Sequence, residues 1–153
     1  KVTTLDYKPE YQPDVVGDVR ELPFPDNTFD MAIACEVLEH MPFRDTLKAA
    51  GEMRRVSKNT VLISVPDARR TLVGMRCKLP FFKELNFSVR VPAMTRQIVA
   101  TERGHNWEIG KIGYPPRYVR RAFIDLGFRV RRSGPLSDTP RNHYFLLEKI
   151  PQQ

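Results

Sequence analysis

Cysteine is nearly absent: Cys35 and Cys77 are the only two in 153 residues, and they show no paired-motif spacing. That usage suits a reducing, cytoplasmic compartment rather than a disulfide-stapled secreted domain. Long apolar runs are missing as well. No stretch approaches the roughly 20 residues that cross a bilayer, so membrane insertion by a helix is not expected. The opening residues lack a basic-then-apolar leader, and the first residue is Lys1, which suits a fragment or a processed chain. There is no internal repeat and no low-complexity segment. Hydrophobic residues are nonetheless 41% of the chain, too many for a disordered one, and the length suits one domain with a real core.

Negative charge is scarce in the later part of the chain. Residues 1–65 carry 8 basic and 11 acidic groups, a net of −3. Residues 66–104 carry 8 and 3, and residues 105–153 carry 9 and 4, so each of these segments is at +5. A basic C-terminal half of this kind suits an anionic partner, whether phosphate, carboxylate or nucleic-acid backbone; it also suits a plain solvated surface.

The pattern of elements is that of an α/β domain. Val2–Leu5 is a short β-branched run ending at Asp6, and residues 14–18 read as a second short strand ending in a turn. Leu22-Pro23-Phe24-Pro25-Asp26-Asn27 can only be a loop. Residues 30–35 form a continuous apolar run, as in a parallel strand covered on both faces. Phe43, Leu47, Ala50 and Met53 follow Pro42 at helical spacing. Val61–Val65 is a further buried strand. Prolines 80 and 92 interrupt residues 67–104, where short helices over Leu72–Leu79 and Ala93–Thr101 are expected. Tyr118, Val119, Ala122, Phe123 and Leu126 give one helical face closed by Gly127. Residues 128–132 and 143–149 read as two strands joined by a Gly-Pro loop, an antiparallel hairpin ending a mostly parallel sheet.

Three stretches carry a family likeness. Gly17-Asp18-Val19-Arg20-Glu21-Leu22-Pro23-Phe24-Pro25-Asp26-Asn27-Thr28-Phe29-Asp30 is similar to a GD-x-x-x-LPFPDNSFD stretch, Cys35–His40 is similar to the segment after a fourth strand, and Leu126-Gly127-Phe128 is similar to an "aGF" before a sixth. The chain thereby resembles the class I, Rossmann-like S-adenosylmethionine-dependent methyltransferases, of the methyltransferase type 11 kind, over nearly its whole length. The resemblance implies a methyltransferase domain over 1–153, with residues 67–104 a lid or substrate-binding insert. It also implies a first strand and glycine-rich loop, normally central to the sheet, which this sequence does not contain. Upstream sequence is therefore expected, with an open or collapsed gap in the sheet where that strand would stand.

Carried over position by position, the resemblance implies that Asp6 accepts from the ribose hydroxyls and Asp18 from the adenine amino group. The Val19 backbone would meet an adenine ring nitrogen, and Tyr7 would lie along the adenine face. Cys35 and Glu36 would adjoin the methionine part. Glu36, Glu39 and His40, at i, i+3 and i+4, share one face if that turn is helical, and two carboxylates and an imidazole can hold Mg²⁺, Mn²⁺ or Zn²⁺. The Glu-x-x-Glu-His arrangement resembles that of the small-RNA 2′-O-methyltransferases and of the O-methyltransferases of ubiquinone synthesis, which adds His105 as a fourth ligand. His40 and His105 are also the candidate bases for a hydroxyl acceptor. The insert mixes Phe81, Phe82, Phe87, Met75 and Met94 with Arg69, Arg70, Arg76, Lys78 and Arg90, suiting an anionic or aromatic small-molecule acceptor, or RNA. Two other readings compete: a degenerate binding or scaffold domain without cofactor, and a dinucleotide-binding oxidoreductase, against which the GD-x-x-x-LPFPDN stretch speaks.

Overall fold

The computed structural model of the chain describes residues 1–77, 85–93, 104–135 and 141–150. Its main sheet has four strands. Strand β3 (Phe29–Cys35) runs parallel to β4 (Ser57–Pro66), with Ala32 opposite Val61 and Cys35 opposite Ser64. Strand β8 (Asn142–Lys149) lies antiparallel on the other side of β4, and β7 (Phe128–Pro135) closes the hairpin, giving the order β3-β4-β8-β7. This is the combination of parallel strands and C-terminal antiparallel hairpin that the sequence predicts. The hairpin strand β7 continues through Gly134 and Pro135, which the sequence reading assigns to a loop.

Two helices cover one face of this sheet. Helix α1 (Phe43–Val56) starts after Pro42, whose fixed φ suits a helix entry, and buries Thr46, Ala49, Ala50, Met53 and Val56. Helix α2 (Pro116–Asp125) buries Val119 and Phe123. Ala49, Ala50, Met53, Val119 and Phe123 meet Val61, Ile63 and Val65 of β4, Phe145 and Leu147 of β8, and Trp107 in one core. Trp107, Phe123, Phe128 and Phe145 are all fully buried, and such a side chain stabilises the fold by roughly 1.5–3 kcal/mol through transfer alone.

The opposite face of β3 differs from expectation. Ala34 points into the core, but Met31, Ile33 and Cys35 are exposed, Ile33 at 61%. The apolar run therefore has one covered face rather than two, because both helices lie on the same side. The remaining N-terminal strands, β1 (Leu5–Asp6) and β2 (Val15–Val16), pair in parallel as a separate two-stranded sheet. They do not pair with β3, and among the described residues no strand occupies the outer edge of β3.

The Leu22–Asn27 loop is fastened to the end of α1. Arg55 donates to the carbonyls of Phe24 (2.7 Å) and Leu22 (2.9 Å) and to Asp26 (2.9 Å), while Glu52 accepts from the Leu22 N–H at 2.8 Å. The two prolines leave this loop few internal hydrogen bonds, so its carbonyls are satisfied by a guanidinium instead.

The segment after β4 also departs from the sequence reading. Instead of a helix over Leu72–Leu79, residues Arg70–Cys77 form strand β5, paired antiparallel with β6 (Leu85–Val91). Thr71 and Val73 are β-branched and favour extended backbone, and pairing with β6 settles the choice. Phe81, Phe82, Lys78, Met94 and most of the expected Ala93–Thr101 helix lie outside the described residues.

Candidate functional site

The parallel strands β1, β2, β3 and β4 each have a carboxylate at or within two residues of the carboxyl end: Asp6, Asp18, Glu36 and Asp67. Asp6 closes β1, and Asp18 stands two residues past β2, so two adjacent strands carry carboxylates beyond their carboxyl ends. In open α/β sheets that is where ligands bind. Asp6 Oδ1 accepts from the Lys8 N–H at 2.8 Å, which fixes the turn after β1. Asp18 is held by Arg20, whose Nε lies 3.0 Å and Nη2 2.7 Å from its carboxylate; those hydrogen bonds keep its pKa below the ordinary range. Arg20 also reaches Asp45 on α1 at 3.0 Å, so the Asp18 carboxylate is oriented by a fixed clamp. Tyr7 is exposed, and Val19 packs against the core.

Beyond β3 the chain turns sharply. Cys35 is exposed and a free thiol. Glu36 adopts φ +56°, a left-handed conformation that is uncommon for a residue with a side chain, and such strain concentrates at functional positions. Its N–H donates to the Ser64 carbonyl (3.0 Å), and the Ser64 hydroxyl donates to Glu36 Oε1 (3.0 Å).

Leu38–His40 then form a single 3-10 turn. Glu39, His40 and His105 converge there: one ligand atom from each lies within 4.8 Å of the others. Glu36 does not join them. Its left-handed backbone takes it off the face that a continuous helix would have shared, and the bond to Ser64 ties it to β4.

Glu39 is the unusual member. It is fully buried, and neither carboxylate oxygen has a hydrogen-bond partner. Burial, together with the nearby Glu36 and Glu108 carboxylates, pushes its pKa up to about 7. Glu39 Oε1 lies 3.9 Å from His40 Nε2 and 4.0 Å from His105 Nε2. The His105 Nδ1 sits 2.9 Å from Glu108 Oε1. That carboxylate can only accept, so Nδ1 carries the proton and Nε2 faces Glu39 with its lone pair. The imidazoles of His40 and His105 meet edge to face at 5.0 Å.

The scaffold behind this cluster is rigid. Trp107 Nε1 donates to the Leu38 carbonyl (3.1 Å) and to Thr46 Oγ1 (3.0 Å), and Thr46 donates to the same carbonyl at 2.8 Å. The Asn106 N–H donates to the Glu39 carbonyl at 2.7 Å. One carboxylate and two imidazoles, with an orphaned buried carboxylate at the centre, form a donor set that fits a divalent cation with open positions. The nitrogen content favours Zn²⁺ or Mn²⁺ over Mg²⁺, which prefers oxygen ligands.

Comparison with known proteins follows the same lines. Residues 2–65 match the family model described as a methyltransferase domain. That span holds β1, β2, β3, α1 and most of β4, with both strand-end carboxylates and the Glu36–His40 turn. That stretch of the chain is similar to the methyltransferase domain, and the fold is that of S-adenosylmethionine-dependent methyltransferases. An uncharacterised protein of Methanocaldococcus jannaschii is 44% identical over 45 residues, which is 29% of this chain and 19% of that protein. The fold is similar to that of the 1,6-didemethyltoxoflavin-N1-methyltransferase of Burkholderia thailandensis, solved with 1,6-didemethyltoxoflavin and S-adenosylhomocysteine. There the TM-score is 0.59 at 13% identity, over 96% of this chain and 60% of that one. A S-adenosylmethionine-dependent methyltransferase of Aquifex aeolicus gives 0.52 at 17%, over 89% and 54%. The chain thus spans less than two thirds of the length of each of these relatives.

Sequence reasoning missed two carboxylates that hold neighbouring side chains in place. Glu108, the acceptor for His105 Nδ1, stands three residues further on, a spacing that was legible. Asp67, which ends the turn after β4 and binds Arg69 at 2.6 Å and Arg90 at 2.9 Å, was not, because Arg90 comes from a strand the sequence did not reveal.

Proposed function

We propose that this domain catalyses methyl transfer from S-adenosylmethionine to the oxygen of a small acceptor bearing a negative group. Glu39, His40 and His105 would hold a divalent cation that assists the reaction. The observation that carries the reading is a carboxylate at or just past the carboxyl end of each of β1, β2 and β3 (Asp6, Asp18 and Glu36), with the Glu39–His40–His105 cluster at the turn that follows β3. Asp6 is the acceptor for the ribose hydroxyls and Asp18 for the adenine amino group, with Tyr7 and the Val19 backbone beside the ring. Cys35 and Glu36 stand next to the methionine part.

In the transfer itself, an acceptor oxygen lone pair forms a bond to the methyl carbon as the carbon–sulfur bond breaks. The sulfonium becomes a neutral thioether, and the hydroxyl proton must leave. With a His40 nitrogen on the cation that proton would leave to solvent; without the cation, the half-exposed His40 can receive it at an imidazole nitrogen. His105 is held in one tautomer by Glu108 and orients the site. A bound cation would lower the pKa of an acceptor hydroxyl. The rest of the acceleration comes from alignment and exclusion of water, for which we read the 67–104 insert as a lid. No described helix is long and apolar enough to cross a membrane, and the sparse cysteines suit the cytoplasm.

Calorimetric titration with S-adenosylhomocysteine tests the reading. Saturable binding, weakened in Asp6→Asn, supports it. Absence of binding in the whole protein would instead favour a methyltransferase-like scaffold without cofactor.

A further inference from the structure

A second polar centre lies away from the Glu39 cluster, on the far side of β4. His143 opens β8 opposite Val65, so it stands at the same end of the sheet as Glu36. It is 4% exposed, and both ring nitrogens are engaged. Arg69 Nη2 lies 3.2 Å from Nδ1, and Ser133 Oγ lies 2.8 Å from Nε2. Asp67 Oδ2 is further off, 3.4 Å from Nδ1.

Serine, histidine and aspartate in a row suggest a nucleophile, its base and an orienting acid. The arginine argues otherwise. A guanidinium has donors only, so the close Arg69 contact makes Nδ1 an acceptor and puts the imidazole proton on Nε2. Nε2–H then donates to Ser133 and cannot remove its proton. Asp67 is already claimed by Arg69 and Arg90. The result is a relay of donors running outward: Arg69 to His143, His143 to Ser133, and the Ser133 O–H onward.

That last hydroxyl faces a cavity of about 560 Å³ between the start of α2 and the β7–β8 hairpin. Arg120, Arg132, Ser133, His143 and Tyr144 line it, with Val130 as an apolar wall. Among the described residues no carboxylate lines it. Arg131 at its rim is committed to Glu148 at 2.7 Å, whereas the exposed guanidiniums of Arg120 and Arg132 have no ion pair among the described residues. Two uncommitted guanidiniums and an outward hydroxyl, without an acid among them, form a receptor for an oxyanion.

We propose that this cavity binds the phosphate or carboxylate group of the methyl acceptor, gripped by Arg120 and Arg132 and receiving the Ser133 hydroxyl. This rests on the methyltransferase reading above and gives the acceptor a shape. From β3 to β8 and β7 is two to three strand spacings, about 10–14 Å. The acceptor is therefore elongated, with its anionic end about that far from the oxygen that takes the methyl group.

The test needs no acceptor. The chain has only three histidines, so the His143 ring nitrogens can be followed by NMR while inorganic phosphate, phenyl phosphate or benzoate is added. A saturable shift of His143, with phosphate affinity falling about 10-fold or more in Arg120→Ala and in Arg132→Ala, supports the pocket. Arg117→Ala, on α2 but outside the cavity, leaves the affinity unchanged. Tighter phenyl phosphate than benzoate assigns a phosphate; the reverse assigns a carboxylate. No shift of His143 at tens of millimolar anion, or equal affinity in Arg132→Ala and the parent, overturns the proposal. So does a short oligoribonucleotide whose binding weakens equally in Arg117→Ala and Arg132→Ala, since that is backbone tracking over a basic surface. S-adenosylhomocysteine binding, measured alongside, reports separately on the methyltransferase reading.

Discussion

The Nδ1 of His105 lies 2.9 Å from Oε1 of Glu108, and this contact turns Nε2 toward the buried carboxylate of Glu39. Partners that stand behind a metal ligand fix its tautomer and typically contribute 10–100-fold in affinity. Glu108→Ala is expected to weaken Zn²⁺ or Mn²⁺ binding by about that factor in calorimetry, and Glu108→Gln to recover part of it, because its amide oxygen still accepts from Nδ1–H. Zn²⁺ should also raise the melting temperature of the parent and fail to do so in Glu39→Gln. Cation affinity indifferent to both changes would leave the cluster as a structural feature of the 3-10 turn.

Asp6 separates a turn-forming role from a cofactor role. Its carboxylate caps the Lys8 N–H, which asparagine can also do. Asp6→Asn should therefore leave stability within about 0.5 kcal/mol while weakening S-adenosylhomocysteine binding by about 1–3 kcal/mol, the range for a lost hydrogen bond to a charged group. Equal affinities of parent and variant would remove Asp6 from the ribose site.

The sequence was most legible where local pattern and tertiary fate agree. The spacing of Phe43, Leu47, Ala50 and Met53 marks α1, and the alternation of His143, Phe145 and Leu147 marks the inward face of β8. The turn after β3 was legible as a place but not as a shape. Nothing local announces that Glu36 takes a left-handed φ, since that depends on Ser64 from a neighbouring strand. The β5–β6 hairpin was missed because Pro80 and Pro92 show where helices stop but not that strands take their place. The Asp67–Arg90–His143 grouping joins residues from three separate segments, and only the folded chain brings them together.

Asp67 should make stability depend on pH at the acid end. Burial opposes its ionisation, but the hydrogen bonds from the Arg69 side chain and backbone and the charge of Arg69 outweigh this and hold its pKa well below the usual carboxylate range. A depressed folded-state pKa means that the contribution is present above the unfolded value of about 3.9 and is lost as pH falls below it toward the folded value. In Asp67→Asn the Arg90 guanidinium, 6% exposed, loses its charged partner, and breaking such a buried pair costs roughly 3–5 kcal/mol. Urea unfolding should show that gap at about pH 7 and a smaller one at about pH 3. A gap of constant size across this range would mean that Asp67 acts through shape rather than charge.

The outer edge of β3 offers the most direct check on how the sheet is completed. Central parallel strands normally have their hydrogen-bonding groups paired on both sides, because an open row of N–H and C=O groups invites further pairing. β3 is bonded only to β4 among the described residues, and its second face presents Met31, Ile33 and Cys35. In a parallel strand, successive amides point alternately to the two neighbours. The amides of β3 directed at β4 should therefore exchange with solvent slowly, at a rate set by global unfolding. Those directed outward should exchange faster by orders of magnitude, as expected of groups without a structural partner. Ile33→Lys provides the second arm. On a bare face it should change stability by no more than about 0.5 kcal/mol and reduce self-association, since a charge there blocks edge pairing and apolar contact. Uniform slow exchange along β3, together with loss of stability in Ile33→Lys, would show that another strand, from this protein or a second copy, occupies the edge and covers the face in solution. The alternating pattern with a stable Ile33→Lys protein would show that the 153-residue fold holds with its sheet open beside β3.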